Sequence, residues 1–411
     1  METDKNVMEI KMKAYLDNSA TTRQYDEVTE LMLKCIRDDF GNPSSLHRMG
    51  MEAERYVDRA RKQAAEAITA MSDISVSPAE IFFTSGGTES DNTAVICGAL
   101  SRKRAGRRVI TTAIEHPAVL ESCKRLEEEG FEIVYAQPGS DGKVRTDTVA
   151  GLINDDTVLV SVMHVNNETG AIQPVEEIAA QCVRKSRARG QEILFHTDAV
   201  QSFGKVRLPL KNVDMLSISG HKIHGPKGVG ILYIGKDRGK DLLNIKPLIV
   251  GGGQEKGFRS GTENVPAAAG LGLAAEMAAA DFESGCRSIR RKRDRLRALM
   301  EENVPDIRIN TPSDSEESSP GILNVSFRGT RGEVLLHTLE QDGIFVSTGS
   351  ACSSNKKGRS HVLRAQGCSD DEIEGALRFS ISRFTTDEEI EFTAQKTAAA
   401  VQRFRKLGSF R

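Results

Sequence analysis

An α/β fold built on a mostly parallel sheet is what this sequence predicts, and three observations carry that prediction. Apolar runs of roughly four to seven residues alternate with helix-period stretches, as do strands covered on both faces by crossover helices. Several runs end in short polar or glycine-containing turns, such as Thr84-Ser85-Gly86-Gly87 and Ser219-Gly220-His221-Lys222. Glycine is abundant, 36 among 411 residues, while Trp is absent and Tyr numbers only 5, a balance suited to many tight strand–helix turns.

Taken in order, residues 14–22 (AYLDNSATT) read as a short strand breaking into a polar turn. A helix is expected from about Leu46 to Ala70, where alanines and Val57 alternate with charges at helical spacing. Next come a strand at Ile81 to Thr84, the Ser-Gly-Gly turn, and a helix from near Thr88. The unit recurs in RRVITTAIEHPAVLESCKRLEEEG, in FEIVYAQP, and in TVLVSVMHVNNETG with a helix after Pro174. EILFHTDAVQS and DMLSISGHKIHGPKGVGILYI continue it. Near residue 265 the pattern changes: 266–303 read as one long helical stretch, and SDSEESSP (313–320) as a polar loop. The strand GILNVSF, a helix in GEVLLHTLEQDG, the strand IFVSTGSA and an αβα-like finish follow. The expected organisation is a large domain over 15–265 and a smaller C-terminal domain over 266–411, with residues 1–30 packing against the smaller one.

Composition excludes several functions. Lys and Arg total 56 against 58 Asp and Glu, so a net charge of −2 gives no electrostatic reason for nucleic-acid or membrane binding. No run of about 18 apolar residues marks a membrane span. The start METDKNVMEIKMK is charged and lacks the apolar core of a secretory signal, so a cytoplasmic location is expected. Seven cysteines without a CxxC pair support neither a zinc ribbon nor a thioredoxin motif, and in a reducing compartment a special cysteine is one that reacts. The basic stretch CRSIRRKRDRLR (286–297) reads as a solvated helix face.

Three sites carry candidate chemistry. The Gly86-Gly87-Thr88 turn entering a helix is either an ordinary capped turn or an anion cradle of free backbone N–H groups. Asp198 closes the run Ile193 to Thr197, where open α/β sheets bind ligands. Lys222, preceded by Ser219 and His221, is either a solvated lysine or an amine available for covalent chemistry. Together they fit pyridoxal phosphate, which needs an amine for its aldehyde, a carboxylate opposite its ring nitrogen and a phosphate cradle. His116 in EHPAV adds an imidazole able to stack on a ring or carry protons; the other reading is a satisfied core histidine.

These stretches, with LDNSATT, FGNPSSLH, FTSGGTESDN, MHVNNETG, TDAVQSFGK, RSGTEN and GSACSS, closely resemble the NifS/IscS-type cysteine desulfurases, pyridoxal-phosphate enzymes of the class V aminotransferase family. The resemblance runs from about Ala14 to the last helix. It implies the fold-type I architecture, with a mostly parallel seven-stranded sheet and a smaller α+β domain, working as a homodimer. It also implies removal of sulfur from L-cysteine to give L-alanine and a persulfide on Cys352. From there the sulfur passes to an acceptor protein, an iron–sulfur scaffold or a tRNA-thiolation enzyme.

Position by position, Lys222 resembles the lysine that takes the cofactor's aldehyde, Asp198 the partner of its ring nitrogen and Gln201 that of its phenolic oxygen. Gly87, Thr88, Ser219 and His221 resemble phosphate contacts, with Thr262 reaching across from the other subunit. His116 matches the ring-stacking, proton-handling histidine. Asn167 and Arg378, with Asn18, match positions that hold cofactor or substrate carboxylate, and Arg383 competes with Arg378. No resident metal is implied, Cys352 being at most a transient ligand to an iron–sulfur cluster. Other enzymes of the same fold, an aminotransferase or a selenocysteine lyase, and a non-catalytic sulfur-relay or iron–sulfur scaffold protein are the competing readings.

Overall fold

The computed structural model describes residues 12–237, 241–242, 244–314, 316–348 and 359–408. After a two-residue strand β1 (Ala14–Tyr15), seven of the expected apolar runs lie side by side as β2 (Ile81–Thr84), β3 (Arg108–Thr112), β4 (Glu132–Ala136), β5 (Thr157–Ser161), β6 (Leu194–Asp198), β7 (Met215–Ser219) and β8 (Gly230–Ile234). Their order is β2-β8-β7-β6-β5-β3-β4, and only β8 runs antiparallel to its neighbours. Strands β5 to β8 are buried at every residue, because helices cover both faces. β4 and β5 lie on opposite sides of β3, so the chain changes direction across the sheet there, and the carboxyl ends of β2, β3, β5, β6 and β7 share one edge. Such an edge is where open α/β sheets carry ligands.

The covering helices are α1 (Asp26–Arg37), α2 (Arg48–Ala70), α3 (Gly87–Asn92), which continues through a π-helical turn at Thr93–Cys97 into α4 (Gly98–Ser101), α5 (Pro117–Glu128), α6 (Thr146–Leu152), α7 (Val175–Arg189) and α8 (Val265–Ala280). Alternation along the strands sorts the core. Phe195 and Leu216 pack in the cluster that holds α2, α7 and α8, whereas Leu194 and Met215 join the cluster that holds α5 and the Thr93–Cys97 turn. A fully buried side chain such as Phe195 or Phe203 stabilises by about 1.5–3 kcal/mol. Helices α2 and α8 approach so closely that a Cβ at Gly272 would stand 2.5 Å from Ala60 Cα.

The expected single helix over 266–303 is in fact two. The chain breaks at Asp281 (φ −113°, ψ 22°) between α8 and α9 (Phe282–Asn303). Two causes act together there. The Asp281 carboxylate accepts from Arg383 Nη2 at 2.8 Å and from Ser284 Oγ, and the helices on either side serve different cores. Val265 to Ala275 belong to the large sheet's cluster, while Leu296, Leu299 and Met300 pack with the C-terminal strands.

Those follow a short ladder of β9 (Lys236–Asp237) with β10 (Asp241–Leu242): β11 (Ile307–Ile309), β12 (Ile322–Phe327), β13 (Ile344–Phe345) and β14 (Ala376–Ser380). β11, β12 and β14 form an antiparallel sheet, and β1 pairs in parallel with β13, so Ala14 and Leu16 lie in the C-terminal cluster. α10 (Gly332–Gln341), α11 (His361–Ala365), α12 (Asp370–Glu374) and α13 (Asp387–Gly408) complete this part. The basic stretch 286–297 is less solvated than expected. Arg291 and Arg295 pair with Asp387 and Glu391 of α13, and buried Arg293 donates to Ser318 Oγ at 2.8 Å.

Candidate active site

A cleft of about 490 Å³ opens at the shared carboxyl edge of the large sheet, within the size range of small-ligand sites. Gly87, Thr88, His116, Asn167, Asp198, Gln201, Ser219, His221, Lys222 and Arg378 all line it. Sequence order spreads these residues over 292 positions, from 87 to 378; the strand ends bring them together.

The β2–α3 turn depends on its glycines. Gly86 takes φ +155°, ψ 177°, and lies against β8, where a Cβ on Gly230 would meet Gly86 C at 2.6 Å. A Cβ on Gly87 would stand 2.8 Å from Val200 Cγ2 and fill the space beside Ser219, so this turn is a cradle kept open by missing side chains. Glu89 closes the turn from outside, accepting from Ser85 N at 2.8 Å and from Arg259 Nε at 3.0 Å. Arg259 thereby ties the segment carrying Thr262 to α3. The buried pair Arg61–Glu255 (2.7 Å) and the bond from Phe83 N to Glu255 Oε2 (3.0 Å) anchor the same segment to β2. Exposed Thr262 lines an adjoining cavity that shares Ser85 and Gly228 with the cleft.

Asp198 ends β6, where Val200 N donates to its Oδ1 at 2.8 Å. Burial pushes its carboxyl up to about 6, against the opposing pull of that N–H and of the Lys222 charge. His116 caps α5: its Nδ1 accepts from Ala118 N at 3.1 Å, Pro117 follows at the first helical position, and the ring proton therefore sits on Nε2. Burial, helped by the Lys222 and His361 charges, lowers His116 to about 4, so it is neutral at physiological pH. Lys222 projects from the turn after β7 and donates to Ser19 O and, at 2.8 Å, to Ala20 O. The next turn is held by a left-handed residue, His224 (φ 63°), whose Nδ1 lies 2.7 Å from Arg23 O.

The LDNSATT segment forms a cleft wall through Ser19, Ala20 and Thr21, whereas the sequence points to Asn18 in it. Gln201 Nε2 donates to Ser19 O at 3.0 Å, Thr21 Oγ1 lies 3.2 Å from His221 Nδ1, and Thr22 N donates to His221 O at 2.9 Å. The Ser19 and His221 contacts run through backbone carbonyls, which carry no sequence signal, while Thr21 contributes its hydroxyl. Asn18 faces away from the cleft: its amide donates to Ser380 O at 2.8 Å and Tyr15 O at 3.1 Å, and it lines a second cavity behind Lys222. Arg383 lines that second cavity too, bound to Asp281, which separates it from Arg378. Arg378, on β14, donates from Nη1 to Asn167 O at 2.9 Å and from Nη2 to Asp17 Oδ1 at 2.8 Å. Asp91, Met163 and Lys227 also line the cleft and were not anticipated.

Cys352, with Lys356 and Lys357, lies outside the described residues. The described flanks of its segment end beside the cleft. Ser347 pairs through its backbone with Arg378 (2.7 and 3.2 Å), and on the other side Ser360 Oγ donates to Glu168 Oε2 at 2.5 Å. His361 Nε2 donates to Glu115 O at 3.0 Å, and Arg359 pairs with Asp370. The six described cysteines are buried or half-buried, and burial pushes the thiols of Cys97, Cys123 and Cys182 well up from the ordinary range.

The residues present fit pyridoxal phosphate. Gln201 Oε1 is buried without a hydrogen-bond partner among the described residues, the glycine cradle is open, and an amine and a carboxylate share the cleft. Loading of the cofactor-free chain should depend on pH. Only the ionised form of Asp198 pairs with a protonated ring nitrogen, so affinity should fall by up to about tenfold per pH unit below about pH 6. A titration of the cofactor's visible absorbance against pH checks this.

Comparison with known proteins agrees with this geometry. The aminotransferase class-V family model matches residues 14–392. The cysteine desulfurase of Nostoc sp. is 40% identical over 399 residues, covering 97% of this chain and 95% of the relative. The cysteine desulfurase IscS of Serratia proteamaculans is 43% identical over 403 residues, covering 97% and 95%. Among solved structures, a NifS-like protein superposes with a TM-score of 0.86 at 40% identity, over 95% of this chain and all of that one. SspA in complex with cysteine gives 0.75 at 33% identity, over 91% of this chain and 100% of that one. No described helix is long and apolar enough to cross a membrane. With a fold, a cleft and a nearly full-length match in agreement, this chain belongs to the pyridoxal-phosphate-dependent class-V aminotransferase family, in its cysteine desulfurase group.

Proposed function

We propose that this protein is a cysteine desulfurase that converts L-cysteine to L-alanine and leaves the sulfur as a persulfide on Cys352. The observation that carries the reading is the meeting of Lys222, Asp198, His116 and Arg378 in one cleft. When bound, pyridoxal phosphate supplies an electron sink for the pair left on the substrate's Cα. Asp198 keeps the ring nitrogen protonated, Gln201 takes the phenolic oxygen, and Gly87, Thr88, Ser219 and His221 hold the phosphate. Asn167 lies beside both cofactor and substrate, and Arg378 binds the substrate carboxylate as a planar fork. Lys222 Nζ removes the Cα proton, and neutral His116 carries a proton at Nε2. The Cys352 thiolate attacks the substrate sulfur, so the C–S bond breaks and an S–S bond forms. The carbon fragment takes at Cβ the proton given up by the substrate thiol, carried by His116, and regains at Cα the proton held on Lys222, which gives alanine. The flanks of the Cys352 segment, tied to Arg378, Glu168 and Glu115, support delivery of the thiol to this cleft. The test is the product: cofactor-loaded protein given L-cysteine should form alanine and persulfide in equal amounts. A keto acid in their place would mark an aminotransferase.

The sulfur then passes to an acceptor protein serving iron–sulfur assembly or thiolation, in the cytoplasm. Two separate hydrophobic clusters support a large cofactor-binding domain and a smaller C-terminal one, with α8 counted in the large domain because it packs on α2. A second copy of this chain completes the site. Leu33, Ile36, Phe40, Leu46, Met49 and Met51 expose apolar surface along one stretch, Leu46 at 97% and Phe40 at 67%. Thr262, exposed beside the cleft, is then a phosphate contact for the partner. Sedimentation should give a dimer, and the double change Phe40→Asp with Leu46→Asp should give monomers that bind the cofactor about tenfold or more weakly. A wild-type monomer at micromolar concentration would contradict the pairing.

A further inference from the structure

Beneath Asp198 lies a buried polar chain that the proposed mechanism does not use. His196 and Asp198 sit two residues apart on β6 and share a face, the face toward α3. The wholly buried imidazole of His196 spans three strands: Nδ1 is 2.9 Å from Ser161 Oγ on β5, and Nε2 is 3.0 Å from Ser217 Oγ on β7. Asp91 descends onto this group from α3, 1% exposed, with Oδ1 3.6 Å from His196 Nε2. Asp91 also lines the cleft floor beside Asp198, and its Oδ1 has no hydrogen-bond partner among the described residues. Glu115 is a third buried acid nearby, accepting from Thr112 Oγ1 at 2.7 Å and from Met163 N at 2.9 Å.

Three carboxyl groups in one dry patch cannot all carry charge, because each adds like-charge repulsion to the cost of desolvation. Lys222, one of the cations lining the cleft, favours the charged form of Asp198. Asp91 has no such support. His196 is held neutral by burial, which lowers it to about 3, and it already faces two serine hydroxyls. Burial first, and then the Asp198 charge, raise Asp91 well above the carboxylate range, outweighing the Ser217 hydroxyl. Burial likewise raises Glu115 to about 8.

We infer that Asp91 is a neutral acid and that, with His196, Ser161 and Ser217, it forms an uncharged positioning chain that leaves Asp198 as the ionised carboxyl facing the cofactor's ring nitrogen. The inference rests on the assignment of Asp198 made above. A protonated carboxyl donates through O–H, as a side-chain amide donates through N–H, so Asn should replace Asp91 and Ala should not.

The test compares cofactor-stripped wild type, Asp91→Asn, Asp91→Ala and Asp198→Ala, reading the dissociation constant for pyridoxal phosphate and the bound cofactor's visible band. Circular dichroism serves as the control for folding. Asp91→Asn should bind within about threefold of wild type with the same band, while Asp91→Ala should bind about tenfold or more weakly with a shifted band. A tenfold loss or a shifted band in Asp91→Asn would show that the charge is needed and would overturn the inference. So would an Asp91→Asn chain that does not fold, or an Asp91→Ala chain that matches wild type. If Asp198→Ala binds with an unchanged band, it is the underlying assignment of Asp198 that fails.

Discussion

Lys222→Ala should lower alanine formation from L-cysteine by about a thousandfold or more, since general-base and covalent roles fall on one amine. The fold should survive. Lys222 lies in a turn that lines the cleft, outside the packed strands, and Ser19 and Ala20, whose carbonyls it leaves behind, line the same cleft. Lys222→Arg should be no better, because a guanidinium stays protonated and cannot take the Cα proton. Single-turnover alanine formation, with circular dichroism as the folding control, makes the measurement. A variant that keeps even a tenth of the rate would assign the proton transfer to another residue.

Cys352→Ala should act on the other half of the reaction. The cofactor's spectrum and its affinity should be unchanged, because the residues proposed to hold the cofactor come from other segments. Persulfide formation should vanish, and overall sulfur release should drop by about a hundredfold or more for want of the nucleophile. Thiol-trapping mass spectrometry of the Cys352 peptide, read beside sulfide release, separates the two effects. Sulfur release at the wild-type rate would mean that another group accepts the sulfur. The described cysteines are poor substitutes: burial raises the thiols of Cys123 and Cys182 and holds them protonated.

The sheet was legible because β5 to β8 are buried on both faces, so each segment carries at least two large apolar residues and no Lys, Arg or Glu. Asp198 and Lys222 were legible because Asp198 is the last residue of β6 and Lys222 lies three residues past the end of β7. Helix α1 is absent from the sequence reading although Val28, Leu31, Met32, Cys35 and Ile36 recur at helical spacing along one face, so here the signal was present and was passed over. Helix α6 is short, TDTVAGL, with a glycine and β-branched residues, and its one buried residue is Val149. The break at Asp281 has no local signal such as proline; a partner 102 residues away, Arg383, and the division into two cores decide it. Within the site, the Ser19 and Ala20 carbonyls act through the backbone, which any sequence supplies. Asp91 acts through burial beside another acid, which only the folded chain creates.

The central claim is that sulfur moves from the substrate to one thiol of this chain. Cofactor-loaded protein given L-cysteine carrying isotopically labelled sulfur, then digested and analysed by mass, tests it in one step. The labelled atom should appear on the Cys352 peptide in an amount equal to the alanine formed, and on no other cysteine. Alanine formed in the same amount with all the label free as sulfide, or on a different cysteine, would contradict it.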